Sequence, residues 1–349
     1  RSAWRKWTDR MASAVFQGPG RMKRAVFAGT GSCLPARRMT NADLERMVDT
    51  SDAWIVQRTG IRERRIAAPG EATSDLALPA ARAALADASL AAEDLDAIIV
   101  ATMLGDRLVP ATAARIQADL GARRAAAFDL NAACTGFIYA LAAGAAGIKS
   151  GLFRNALVIG SECNSRMVDW TDRNTCILFG DGAGAAVLAA ADGAGGSDIL
   201  AFELGCDGAK ADLIAVEAGG TRLPTTPETA AAGRHFLTMN GREVFKFAVN
   251  SICRMLTDLC ARNGIALNDI ALCVPHQVNY RVIEACCERV PLPLDRFYLN
   301  IDRCGNTSAA SIPIALDEAV RAGRLARGDL LCLLGFGAGM TWGSALVRW

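Results

Sequence analysis

Histidine is nearly absent: the 349 residues hold two, His235 and His276. The sequence has no Cys-x-x-Cys, no His-x-Glu and no His-Glu-x-x-His, so the usual ligand spacings of a zinc site are missing and no metal is expected. It also lacks Gly-x-Ser-x-Gly, the nucleophile elbow of α/β-hydrolases. No apolar run reaches the ~18 residues a membrane-spanning helix needs, and no membrane association is expected. Neither sign of charge is in excess: 38 Lys and Arg stand against 36 Asp and Glu, a net +2 with both histidines neutral. That balance excludes a global basic field for nucleic acid and leaves any anionic partner to a local patch.

What is present is apolar. Hydrophobic residues make up 52% of the chain, enough for one large domain or two ordinary ones. The twelve cysteines are scattered, and most sit in apolar surroundings, as Cys176, Cys260, Cys273 and Cys332 do. They read as small core hydrophobes, not as a disulfide scaffold, and imply a reducing, cytoplasmic location. Residues 1–21 differ from the rest, being rich in Trp and Arg and closing on Gly-Pro-Gly. They read as an N-terminal extension or a cloning remnant outside the fold.

From Met22 onward, apolar strand-like runs alternate with Ala-rich helical patterns, which argues for α/β layers. Strands are expected at Ala25–Gly29, Asp94–Thr102, Asn155–Gly160, Asp269–Pro275, Arg296–Ile301, Asp329–Leu334 and Thr341–Arg348, with a further pair at Thr175–Phe179 and Ala185–Ala190. A weak internal repeat runs through them. Asp94–Thr102 resembles Asp269–Gln277, Phe128–Gly136 resembles Tyr298–Asn306, and Gly180–Leu188 resembles Gly335–Leu346, in the same order. Two related halves are expected, 22–192 and 193–349, their strand ends meeting at a common site.

The first half is organised around Asp129–Phe137, Asp-Leu-Asn-Ala-Ala-Cys-Thr-Gly-Phe. Cys134 lies where an apolar strand gives way to a helix. Free N–H groups and the helix dipole there favour a thiolate, and one of those N–H groups can donate to an oxyanion. Cys134 is read as a nucleophile that carries an acyl group. His276 follows an apolar strand and Pro275, with Gln277 and Asn279 beside it. A lone histidine at a strand end is commonly structural, but this polar cluster at a strand mouth favours a function. Asn306, in Cys-Gly-Asn-Thr-Ser, reads locally as a turn before a helix cap. The repeat makes that turn the counterpart of the Cys134 turn, so Cys134, His276 and Asn306 should converge. A thiolate can attack a thioester while His and Asn donate to a second thioester carbonyl and stabilise an enolate formed by loss of carbon dioxide. The loops Gly180–Gly184 and Gly335–Gly339 are not Gly-x-Gly-x-x-Gly, so tight turns are expected there and not nucleotide binding. An N–H near Ala338 would complete the oxyanion hole.

Taken together these motifs resemble the β-ketoacyl-(acyl carrier protein) synthase III family. The resemblance runs from about Met22 to Trp349. It rests on Thr-Asn-Ala-Asp-Leu (40–44), Thr-Ser-Asp-Ala-Trp-Ile-Val-Gln-Arg-Thr-Gly-Ile-Arg-Glu-Arg (50–64), the Cys134 motif, Phe-Gly-Asp-Gly-Ala-Gly-Ala-Ala-Val-Leu (179–188), Pro-His-Gln-Val-Asn (275–279), Gly-Asn-Thr-Ser-Ala-Ala-Ser (305–311) and Thr-Trp-Gly-Ser-Ala-Leu-Val (341–347). It implies a thiolase-like α-β-α-β-α fold, a homodimer, and a Claisen condensation of acyl-CoA with malonyl-acyl carrier protein that initiates fatty acid synthesis. CoA enters as a substrate thioester, and no cofactor is implied. Cys134 matches the acylated nucleophile, and His276 and Asn306 match the decarboxylation pair. Trp54 and Arg173 match residues that sandwich the CoA adenine, Arg58 one near the CoA phosphates, and Asn279 one near the pantetheine arm. Lys246 and Arg281 fall where the family presents basic residues to the carrier protein, although by composition alone each is a solvated surface charge. Val109, Phe245 and Phe336 map to the acyl pocket. Val109 stands where some members have Phe, which implies room for a primer longer than acetyl. The rivals are a secondary-metabolism acyltransferase or condensing enzyme with the same Cys-His-Asn site (polyketide, quinolone or similar), a cysteine hydrolase, and a non-catalytic scaffold of the same fold.

Overall fold

The computed structural model describes residues 23–193 and 196–349; residues 1–21 and Met22 lie outside the described residues. The strands are β1 (Arg24–Cys33), β2 (Arg37–Thr40), β3 (Glu63–Ile66), β4 (Ala97–Ala101), β5 (Ala126–Leu130), β6 (Asn155–Glu162), β7 (Gly182–Ala191), β8 (Asp198–Cys206), β9 (Ile214–Val216), β10 (Leu237–Met239), β11 (Ile270–Pro275), β12 (Leu330–Gly337) and β13 (Thr341–Arg348). The α-helices are α1 (Asn41–Glu45), α2 (Asp52–Thr59), α3 (Thr73–Asp87), α4 (Thr112–Leu120), α5 (Gly136–Lys149), α6 (Pro227–Ala231), α7 (Gly241–Arg262), α8 (Tyr280–Cys287), α9 (Ile301–Cys304) and α10 (Ser311–Arg321).

Two mixed sheets carry the fold. The first runs β1-β7-β6-β4-β5, and the second, taken from its outer edge, runs β8-β13-β12-β11. In both, one side is parallel (β5 with β4 with β6; β11 with β12) and the other antiparallel (β7 and β1; β13 and β8). The continuous apolar runs in β4 and β12 suit strands covered on both faces. α5 and α10 lie between the sheets, α3 and α4 cover the outer face of the first, and α7 and α8 that of the second. The result is five layers, α-β-α-β-α, with a central core between the sheets and an outer core on each side. Eight of the twelve cysteines are buried, and all twelve are free thiols.

Three expectations need correction. Arg296–Ile301 alternates like a strand, yet only Phe297 bridges Cys273. Gln277 takes over from the ladder, donating to Tyr298 O at 3.1 Å and accepting from Asn300 N at 3.1 Å, and α9 starts at Ile301. Thr175–Phe179 is a turn wound on Asp172, whose carboxylate accepts from Thr175 Oγ1 at 2.8 Å. Its end instead clasps the Asn306 loop: Asn306 N donates to Leu178 O at 2.8 Å and Gly180 N to Asn306 O at 2.9 Å. The glycines expected in tight turns are mostly strand residues. At Gly184 in β7 a Cβ would lie 2.6 Å from Ile314 N and Pro313 C, so glycine is what lets α10 lie against the sheet.

Candidate active site

β5 delivers the chain to a short 3-10 turn, Ala133–Thr135, that leads directly into α5. Ala133 has φ +48°, a left-handed conformation for a side-chain-bearing residue, which costs of order 1–3 kcal/mol and must be held by its surroundings. The Asn131 side chain accepts from Ala133 N at 3.1 Å, and the Thr135 hydroxyl contacts Ala132 O at 2.5 Å and Thr341 Oγ1 at 2.6 Å. Cys134 is thereby fixed at the head of a buried helix.

The second half repeats the device. Asn306 Oδ1 accepts from Ser308 N at 2.8 Å, Ser308 has φ +50°, and the 3-10 turn Ser308–Ala310 leads into α10. The matching register is thus Asn131 with Asn306, five residues displaced from the one read in the sequence, and Cys134 corresponds to Ala309. The convergence follows all the same. Asn306, with Oδ1 occupied, has Nδ2 left for the cavity. His276 sits just beyond β11, its N–H on Leu334 O at 2.7 Å, its ring edge-on to Phe336 at 5.5 Å and its Nδ1 2.7 Å from Ser311 Oγ. Cys134, His276 and Asn306 line one enclosed cavity of about 30 Å³ with Phe336, Gly337 and Ala338.

Burial sets the protonation states. It pushes the Cys134 thiol up to about 11, although the Ser308 hydroxyl and the N–H groups of Cys134 and Ala338 act in the opposite direction. Burial thus works against the thiolate expected at this helix start. The two N–H groups nonetheless converge on Sγ, the arrangement an oxyanion hole requires. Burial also drives His276 down to about 3, so its ring is neutral. Ser311 Oγ lies 2.8 Å from Ser308 O as well as against Nδ1, so the rotor of one hydroxyl sets which ring nitrogen carries the proton.

A cleft of about 510 Å³ opens above this cavity, lined by Trp54, Arg58, Phe245, Asn279, Arg281 and others. Met239, Val244, Val278 and Phe336 line both spaces and join them. Trp54 lies in α2, with the guanidinium of Arg58 4.6 Å and that of Arg173 5.0 Å from its ring. Arg173 is anchored on Asp49 O at 2.8 Å. Asn279 caps α8, and its Nδ2 holds Arg58 O at 2.9 Å. Phe245 lines the cleft and not the inner cavity. Lys246 pairs with Glu243 and lines a separate surface groove with Lys210, Arg254 and Trp342. Val109 is not brought to the cavity within this chain; it stands 83% exposed beside Leu108 at 93%. Three residues of the site went unread in the sequence. Ser308 and Ser311 lie inside the quoted 305–311 motif, and Glu162 carried a signal of its own, an acid closing the apolar strand Asn155–Glu162.

Comparison with known proteins agrees with this geometry. The family model for 3-oxoacyl-(acyl-carrier-protein) synthase III matches residues 128–208, and that for its C-terminal part matches 260–349. The chain is 54% identical over 325 residues to β-ketoacyl-(acyl-carrier-protein) synthase III of Roseiflexus castenholzii, covering 93% of this chain and 98% of that one. The crystal structure of the synthase III from Aquifex aeolicus superposes with a TM-score of 0.85 at 44% identity, over 93% of this chain and all of that one. The priming β-ketosynthase of a polyketide biosynthetic pathway gives 0.86 at 32%, over 95% and 98%. Fold and site define a thiolase-like acyltransferase of the condensing type. Within that class, the chain belongs to the β-ketoacyl-(acyl carrier protein) synthase III family.

Proposed function

We propose that the chain joins an acyl-CoA primer to malonyl-acyl carrier protein by decarboxylating condensation, with Cys134, His276 and Asn306 as catalytic residues. The observation that carries this reading is the placing of all three around one inner cavity that shares Met239, Val244, Val278 and Phe336 with a cleft bearing an indole and guanidinium groups. Cys134 attacks the acyl thioester, its own N–H and that of Ala338 hold the oxyanion, and CoA leaves through the cleft. Malonyl-carrier protein then presents its thioester carbonyl to His276 and Asn306. When the Ser311 hydroxyl turns its proton from Ser308 O to Nδ1, the neutral imidazole presents Nε2–H, and Asn306 presents Nδ2–H. Both stabilise the enolate left by carbon dioxide, each such donor contributing roughly 3–4 kcal/mol. The enolate carbon attacks acyl-Cys134 and releases the β-ketoacyl product.

The adenine is placed on Trp54 and Arg173, with Arg58 at the phosphates and Asn279 along the pantetheine. The acidic carrier protein is placed on Lys246 and Arg281. A homodimer in the cytoplasm is proposed on the exposed apolar pair Leu108 and Val109 and on the free thiols. Val109 from the partner would then help to bound the acyl pocket and admit primers longer than acetyl. Product analysis tests the reading: acyl-enzyme given malonyl-carrier protein should yield carbon dioxide and the β-ketoacyl thioester in equal amounts. An acyl-enzyme discharged only by water or by an alcohol or amine acceptor would contradict it.

A further inference from the structure

Two strained turns meet at the nucleophile. One holds Cys134, with Ala133 at φ +48°. The other is Ala338–Met340, between β12 and β13, with Gly339 at φ +78° and Met340 at φ +42°. Left-handed backbone on a side-chain-bearing residue persists only where the surroundings over-determine it. The turns come from opposite halves of the chain and pack directly together: a Cβ on Gly337 would lie 2.8 Å from Cys134 N. Cys134 and Ala338 line the same inner cavity. Their two N–H groups can serve one oxyanion only if the turns keep a fixed separation, since each donor must lie roughly 3 Å from the same oxygen.

The bonds that hold the second turn are of two kinds. Gly339 O takes the Cys206 thiol at 3.1 Å, and Met340 O takes Asp207 N at 3.0 Å. Both tie the turn to the end of β8 and not to the Cys134 turn. Ala338 O is held differently, by the Thr341 hydroxyl at 3.2 Å. The same Oγ1 lies 2.6 Å from Thr135 Oγ1 and 3.3 Å from Ala132 O, both on the Cys134 turn. Thr135 Oγ1 in turn lies 2.5 Å from Ala132 O. With Thr135 donating there, the Thr341 proton is left for Thr135 Oγ1 or Ala338 O, and either way its oxygen sits between the two turns. No other side-chain hydroxyl or amide among the described residues bridges them.

We propose that Thr341 is the positioning residue of the oxyanion hole: its hydroxyl, bonded to both turns, fixes the separation of the Cys134 and Ala338 N–H groups. The inference rests on Cys134 being the acylated nucleophile. Thr341 acts through the two turns and takes no part in proton transfer. The decarboxylation pair is held by other bonds. His276 N donates to Leu334 O at 2.7 Å and its Nδ1 lies 2.7 Å from Ser311 Oγ, while Asn306 Oδ1 accepts from Ser308 N at 2.8 Å. Loss of the Thr341 hydroxyl should therefore separate the two half-reactions.

The test is single-turnover acylation of the full chain over a range of acyl-CoA concentrations, with decarboxylation of malonyl-acyl carrier protein measured beside it. The variants are Thr341→Val, Thr341→Ser and Thr135→Val. Thr341→Val keeps the branched shape at the start of β13 and loses the bonds. Its maximal acylation rate should fall at least about tenfold at an unchanged half-saturating acyl-CoA concentration, because a misplaced donor stabilises the transition state and not the bound substrate. Thr341→Ser keeps the hydroxyl and should acylate within about threefold of wild type. Thr135→Val leaves Thr341 on Ala132 O and Ala338 O, so it should fall by more than about threefold but by less than Thr341→Val; it carries the test if Thr341→Val folds poorly. Decarboxylation should stay within about threefold of wild type in all three. The positioning role is overturned if Thr341→Val, or Thr135→Val in its place, acylates within about threefold of wild type. It is equally overturned if Thr341→Ser is as slow as Thr341→Val, or if decarboxylation falls in parallel with acylation, the mark of a general loosening of the site. Absence of any adduct on wild-type Cys134 overturns the nucleophile assignment, and the positioning role with it.

Discussion

Gly337 offers the sharpest perturbation of the oxyanion geometry. Its backbone is extended, with φ −174° and ψ −167°, so alanine meets no conformational obstacle there. The obstacle is space. A Cβ on Gly337 would lie 2.8 Å from both Cys134 N and Cys134 Cβ, and 3.2 Å from Cys134 Cα. Ordinary carbon contacts begin near ~3.5 Å, so the β12 end and the Cys134 turn must separate by roughly 0.7 Å. One proposed oxyanion donor, Cys134 N–H, lies on one of these segments; the other, Ala338 N–H, lies on the second. Losing one such donor costs roughly 3–4 kcal/mol, or about 10²–10³ in rate, and the overpacking itself a further ~1–3 kcal/mol of stability. Gly337→Ala should therefore acylate at least about 10²-fold more slowly than wild type and melt at a lower temperature. Gly335→Ala, whose Cβ meets side-chain ends of Ile138 at 3.1 Å, Thr135 at 3.2 Å and Ile312 at 3.4 Å, should lose less than about tenfold. Gly220→Ala, with nothing within 4 Å, should be silent. Rapid-quench acylation and thermal melts measure all three. A Gly337→Ala enzyme acylating within about threefold of wild type would refute the reasoning.

Trp54→Ala should raise KM for acyl-CoA about tenfold with kcat little changed, since the stacked adenine is remote from the reacting carbon; a fall in kcat with KM unchanged would speak against the adenine site. Stability should respond to pH in two opposed ways. The His276 ring, lowered from 6.5 to about 3 by burial, binds its proton more readily when unfolded, so its contribution is present above pH 6.5 and lost as pH falls toward 3. Glu162, raised from 4.5 to about 7, does the reverse: its contribution is present below pH 4.5 and lost as pH rises through 7. Melting curves should accordingly show Glu162→Gln gaining on wild type between pH 5 and 8, and a pH-independent difference would contradict the assignment. Octanoyl-CoA should acylate Cys134 at a rate comparable to acetyl-CoA; acylation by acetyl-CoA alone would sink the reading of Val109.

The legible parts of the sequence were those where local chemistry and period agree. A strand handing Cys134 to a helix start, Pro275-His276 closing an apolar strand, and Asn306 in a Gly-Asn-Thr-Ser turn each show the same geometry in the structure, although the strand before Cys134, β5, is a partly exposed edge strand and not the buried one its apolar residues suggest. That the fold is built of α/β layers was visible in the alternation of strands and helices, whereas the five-layer order was implied only by the resemblance to the family. Arg296–Ile301 misled because its alternation is real while its ladder partners are replaced by the side chain of Gln277, a long-range bond no window can show. The burial that opposes a Cys134 thiolate was not legible because a helix start is local, whereas packing under β12 comes from the whole fold. Glu162 was passed over because Ser308, which donates to it at 3.3 Å, is brought there only by the packing of the two halves.

The central claim is that Cys134 carries the acyl group, and intact-protein mass spectrometry after mixing with a panel of acyl-CoAs tests it most directly. The wild-type chain should gain one acyl mass with at least one primer, Cys134→Ala should gain none, and malonyl-carrier protein should discharge the adduct. An adduct that survives in Cys134→Ala, or none with any acyl-CoA, would contradict the account.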